Sequence, residues 1–251
     1  MDYSGLLELV KKRRSIRRFK PDPIPDEYID KIIEVARWAP SGFNIQPWEF
    51  VVVKDKELQE KIATALVQVY DRVYEPLGTV YDVEHDFRIA PVYIIAFCDT
   101  RALGGLPTGA PPDVSGPRAQ AMINSCMASA YLYLHLAATS LGLASHWVSS
   151  IMHPPLRDIL ASMGIPSEFQ TYHMMAVGYP GYKPWEKVMR LKEEIVHYDY
   201  CCEGEFRTQE QIDEYSNRNR EWNNETHRRG LDIEITGTIP VENADVVTKS
   251  S

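Results

Sequence analysis

A chain of 251 residues with 44% hydrophobic and 25% charged side chains can bury one full core and has the balance of an ordinary globular protein. Its formal net charge of -8 speaks against a general nucleic-acid binder, which carries a basic domain. Four cysteines without a C-x-x-C pair or a histidine at zinc spacing read as plain thiols, Cys201 and Cys202 included, and no metal site is expected. The N-terminus lacks the basic, apolar and cleavage order of a signal peptide, so the expected setting is cytoplasmic.

Residues 4–14 predict a short helix, with Leu6, Leu7, Leu9 and Val10 apolar and bases gathering at the C-terminal end, where they suit the helix dipole. Six of the eight residues from Lys11 to Arg18 are cationic, and "PDPIP" then ends regular structure. Arg13, Ser15 and Arg17 alternate, so an extended segment leaving the helix turns all three to one side. Two guanidiniums and a hydroxyl there can hold a phosphate with paired donors. The plainer alternative is a solvated helix end paired with the acidic tail, since residues 200–251 carry 11 acidic and 6 basic side chains. Neither a P-loop nor a G-x-G-x-x-G fingerprint is present.

A second helix starts near Asp26, with Ile29, Ile32, Ile33 and Ala36 on one face. It ends at "APSGFNIQPW", residues 39–48. That stretch can be an ordinary turn, yet Ser41, Asn44 and Gln46 offer neutral hydrogen-bonding groups suited to a polar heterocycle, with Phe43 and Trp48 as flat walls. Strands are expected at 49–54 and 90–98, with an amphipathic helix over 55–74 between them. Residues 103–117 hold four Gly and four Pro, a loop long enough to be functional.

From Ala119 to Leu156 there is no Asp, Glu, Lys or Arg. Gln120, Asn124, Ser125, Ser129, His135, Thr139 and Ser140 make it a poor membrane span. A helix without charge on any face reads as buried all round, by a second subunit as well as by its own core. A strand at 144–150, a short helix at 154–163, a strand at 171–180 and a last short strand at 194–199 follow. This alternation implies an α/β or α+β layout around one sheet. The polar tail is expected to be helical in part, and the seven scattered histidines read as structural.

"RRSIRRF", "ARWAPSGFNIQPWEFVVV", "GYP" and then "RLKEEIVHY" from Arg190, in this order and spacing, resemble the nitroreductase family of FMN-dependent flavoproteins. The resemblance implies an α+β fold, a central, mostly antiparallel sheet flanked by helices, in an intertwined homodimer with the flavin at the subunit interface. Residues 1–199 would be the FMN-binding domain, and 200–251 a polar extension packed on the surface or on the other subunit. By position, Arg13, Arg14, Ser15 and Arg17 would bind FMN. Pro40, Ser41, Gly42 and Asn44 would reach the flavin from the other subunit, with Gln46 close by in the same cofactor-binding motif. Trp147, Val148 and Ser149 would meet the ring, and Arg190, with Lys187, the phosphate. The helix over 119–141 would lie in the subunit interface.

The activity so implied is reduction of bound FMN by NADH or NADPH, then ping-pong hydride transfer to a small nitroaromatic, quinone or enone-like acceptor. The flavin carries the chemistry, so no catalytic side chain is named. Arg88 and Tyr81 are placed to meet substrate. Reductive dehalogenation of the deiodinase kind, oxygen-dependent flavin cleavage and a non-catalytic flavin-binding role are the alternatives. Binding of nucleic acid or a membrane through residues 11–18 is not expected.

Overall fold

The computed structural model describes residues 2–74, 88–105, 115–184, 187, 189–201 and 203–231. Four strands form one antiparallel sheet: β1 (Trp48–Val53), β2 (Val92–Asp99), β3 (Ala144–Val148) and β4 (Phe169–Gly178), in the order β1-β2-β4-β3. The central strand β2 is buried along almost its whole length, as a strand covered on both faces must be. Its alternation divides the core. Tyr93, Ile95 and Phe97 join Ile62, Leu66, Leu156 and Leu160 on one face, while Val92, Ile94, Ala96 and Cys98 join Ile29, Ile32, Met127, Tyr131 and Leu134 on the other.

The first face is covered by α3 (Lys56–Val69) and α5 (Pro154–Ser162), the second by α2 (Asp26–Ala36) and α4 (Pro117–Ser140). The arrangement is α+β, a sheet between two helical layers. The Asp55 side chain caps α3 by accepting from Leu58 N at 2.7 Å. Gln59, buried, donates its amide to the carbonyls of Val53 and Pro91 and so ties the ends of β1 and β2 together. Pro117 opens α4 at the position where a missing N–H costs nothing. At the other end Gly142 takes φ +75 and lets Leu143 N return to Ala138 O at 2.9 Å.

Helix α1 (Tyr3–Lys12) has its expected basic last turn and an Asp2 cap, but buries none of its residues; Leu6, Leu7 and Val10 stay exposed. In the single chain α4 is not buried all round: Ala121, Asn124, Ser125 and Leu132 face outward. The expected strand at 194–199 is absent. Lys192–Glu194 forms a tight turn instead, with the Glu194 carboxylate accepting from Leu191 N at 3.0 Å and Val196 N bonding Lys192 O, so these polar groups are met locally. The tail forms α6 (Gln209–Leu231). No helix among the described residues is long and apolar enough to cross a membrane, and Cys98, Cys126 and Cys201 are free thiols.

Candidate functional site

Arg13 caps α1 with extended backbone, and the chain leaves the helix in a segment that meets the outer edge of β3 at Ser145 and then the residues after β4 at Pro180. Ser15 bridges Ser145 in parallel, Ile16 N donates to Ser145 O at 3.0 Å, and Phe19 bridges Pro180. Ile16 and Phe19 point into the core. Arg13, Arg14, Ser15 and Arg17 are thereby left half-buried, as the alternation in the sequence requires for Arg13, Ser15 and Arg17.

The electrostatics of this segment are one-sided. Burial pulls the Arg13 guanidinium down from its ordinary range. Lys187 is pulled down by burial first, and then by the like charges of Arg13 and Arg14, so the three cations share one neighbourhood. Among the described residues neither Arg13 nor Lys187 pairs with a carboxylate, although the acidic tail was one expected partner. Arg190 is engaged otherwise. Its Nη2 donates to the Glu194 carbonyl at 2.5 Å, and it lines a cleft of about 530 Å³ with Arg207, Gln211, Tyr215 and Arg218 of the tail.

The Pro40–Gln46 loop is built on unusual backbone. Phe43, Asn44 and Gln46 have φ of 53, 56 and 45, the left-handed region that costs a side-chain-bearing residue about 1–2 kcal/mol. The conformation is held from within and from below. Gln46 N donates to Ser41 Oγ at 3.0 Å, and Gly42 N points to Cys126 Sγ on α4 at 3.4 Å. Pro40, Phe43, Asn44 and Gln46 are exposed. Strain of this kind is concentrated where a site needs it.

Trp147, Val148 and Ser149 close β3. Val148 is buried in the core, Trp147 is half-buried and Ser149 is exposed. Behind Trp147 lies a cluster that the sequence did not single out. The Tyr131 ring packs edge-on against Trp147 and His135, Tyr172 and His173 complete the group, and His135 stacks parallel to Trp147 at 5.3 Å. His135 Nδ1 is 2.6 Å from Ser145 Oγ. Burial above all holds His135 neutral, its pKa lowered to about 3, and burial lowers His173 to about 4. A histidine on a buried helix gives no periodic signal, so only the packing reveals this group.

The fold therefore brings Arg13, Arg14, Ser15, Arg17, Lys187 and Trp147 to one end of α4, but not the Pro40–Gln46 loop. That loop rests on Cys126, nine residues from His135, about 14 Å along the helix axis. Arg88 does hold a carboxylate, but it is that of Glu60, met at 2.8 and 3.0 Å, with Thr64 beside it. Tyr81, the other residue expected at substrate, lies outside the described residues, as does most of the 103–117 loop.

Residues 10–179 match the family model of the Nitroreductase family. A Thermus thermophilus protein named NADH dehydrogenase is 30% identical over 188 residues, covering 67% of this chain and 83% of its own. An iodotyrosine deiodinase of Thermotoga neapolitana is 28% identical over 204 residues, covering 77% of this chain and 97% of its own. Among solved structures, a nitroreductase with bound FMN from Bacteroides fragilis superposes with a TM-score of 0.57 at 26% identity, over 80% of this chain and all of that one.

Proposed function

The chain belongs to the Nitroreductase family, and we propose that it is a reductase of small organic acceptors whose site is completed by a second copy of itself. It is an FMN-dependent oxidoreductase with NAD(P)H as electron donor. The chain's own residues fit that cofactor: Arg13 and Arg14 are half-buried with the exposed Lys187 beside them, and Arg13 and Lys187 lack a carboxylate partner among the described residues. This is the observation that carries the reading, because concentrated, partly buried positive charge requires an anion. When bound, FMN supplies hydride exchange between NAD(P)H and the acceptor.

In this reading Arg13, Arg14 and Lys187 neutralise the phosphate, with the Ser15 hydroxyl and Arg17 on the same segment. Trp147 and Ser149 border the ring. Arg190 reaches the phosphate only by leaving Glu194. The strained loop sits too far along α4 to complete the same site, which supports a homodimer in which Ser41, Asn44 and Gln46 come from the partner. Acceptor and nicotinamide would alternate over one flavin face, in a ping-pong cycle. Nitroaromatics, quinones and enones are the acceptor class. The deiodinase relative supports testing 3-iodotyrosine in the same assay.

The experiment is an anaerobic visible spectrum of the FMN-reconstituted protein, before and after NADH or NADPH, with Arg13→Ala beside the wild type. Bleaching of the bound flavin band, and FMN affinity about tenfold or more lower in Arg13→Ala, are the expected results. A bound flavin that stays oxidised would remove the reductase. Unchanged affinity in Arg13→Ala would remove the phosphate assignment.

A further inference from the structure

The imidazole of His135 is completely buried, and its Nε2 finds no partner among the described residues. A leucine would fill the same slot without an unmet nitrogen, so packing alone does not account for a histidine. Its two engaged features lead one way. Nδ1 meets Ser145 Oγ at 2.6 Å, and the ring is held in plane by parallel stacking on Trp147, with an interplanar angle of 5°. Ser145 is itself buried, and its carbonyl is the acceptor for Ile16 N at 3.0 Å, while its backbone bridges Ser15. One residue of β3 thus joins His135 by its side chain and the cationic segment by its main chain.

We propose that His135 is a positioning residue for the cofactor: through Ser145 it fixes the point where segment Arg13–Arg17 docks on β3, and so the placement of the phosphate-binding guanidiniums. This rests on the FMN reading above. The neutrality that burial imposes on His135 fits the task, because a charged imidazole would repel Arg13, whose field already reaches it. The stacked Trp147 leaves the imidazole little freedom to turn away from Ser145. Nothing in the proposal needs His135 to touch the cofactor.

The test titrates FMN and riboflavin, which lacks the phosphate, into the wild type, His135→Leu, His135→Asn, Arg13→Ala and the double variant His135→Leu/Arg13→Ala. Expected is an FMN affinity about tenfold lower in His135→Leu, with riboflavin affinity within about twofold of the wild type. His135→Asn, whose amide can still meet Ser145 Oγ, recovers most of the loss. In the double variant His135→Leu adds less than about twofold to the effect of Arg13→Ala, the non-additivity of residues acting through one contact. Equal weakening of FMN and riboflavin, additive effects, or an Asn variant no better than Leu would each overturn the proposal. Should His135→Leu fail to fold, Ser145→Ala takes its place with the same expectations. Wild type that binds no FMN overturns the preceding section's reading and this inference with it. Wild type that binds FMN, with Arg13→Ala weakened and His135→Leu matching the wild type, overturns this inference alone.

Discussion

His135 stays neutral in the folded chain because it is enclosed by Tyr131, Trp147, His173 and Ser145, with Arg13 adding like charge. In the unfolded chain the same imidazole takes a proton near pH 6.5. Its folded pKa is depressed, so as the pH falls below 6.5 the unfolded state binds more protons and stability is lost, until the folded group also titrates at about 3. His173, at about 4, adds a contribution of the same sign. Between pH 7 and 5 the His135 part is on the order of 2 kcal/mol. Urea denaturation at the two pH values should show the decrease, and in folded His135→Leu the pH dependence should be visibly flatter.

At the scale of elements, the loop from Pro40 to Gln46 shows conformation chosen against local preference. Phe43 is exposed and left-handed, so its side chain contributes little burial while its backbone is strained. Phe43→Gly should leave stability unchanged or raise it by up to about 1 kcal/mol, whereas Phe43→Val should lower it by about 1–2 kcal/mol. Chemical denaturation of the two variants beside the wild type checks the order. The loop also marks where sequence reading stops. Ser41, Asn44 and Gln46 announce hydrogen-bonding capacity, but three positive φ values in four residues follow from contacts with α4 that lie 84 residues away in the chain, such as Gly42 with Cys126. Helices α2 and α3 were legible from a regular apolar period, β1 and β2 from continuous apolar runs, and α4 from its lack of charge. "EIVHY" has strand-forming residues, yet the Glu194 carboxylate turns the chain back on Leu191. Arg13, Ser15 and Arg17 could be read as a group because a strand alternates. His135 could not, because its meaning depends on Ser145 and Trp147 lying beside it.

At the scale of the whole molecule, the outward residues of α4, from Ala121 to Leu132, and the bare apolar side of α1 are what a single chain leaves uncovered. This surface is apolar on α1 and, on α4, uncharged but mixed, with Asn124 and Ser125 beside Ala121 and Leu132, and uncharged, part-apolar surface suits an interface. A two-fold pairing across α4 would cover it and carry each strained loop toward the other chain's cationic segment. Leu132→Glu should therefore yield monomers in sedimentation velocity and lower FMN retention in the same preparation, while far-ultraviolet circular dichroism stays unchanged. A monomeric wild type, or a monomeric variant that retains FMN fully, would refute the two-chain site.

The docking of Ser15 and Ile16 on Ser145 of β3 has a consequence for solubility. An unprotected sheet edge offers a row of free amides and carbonyls to any passing strand, and proteins take care to blunt it. Here Ser15 and Ile16 cover that edge at Ser145, and they belong to the same stretch of chain that carries the cations we propose for the phosphate. Whatever loosens this strip bares a template for edge-to-edge polymerisation, so shelf life and cofactor occupancy should rise and fall together.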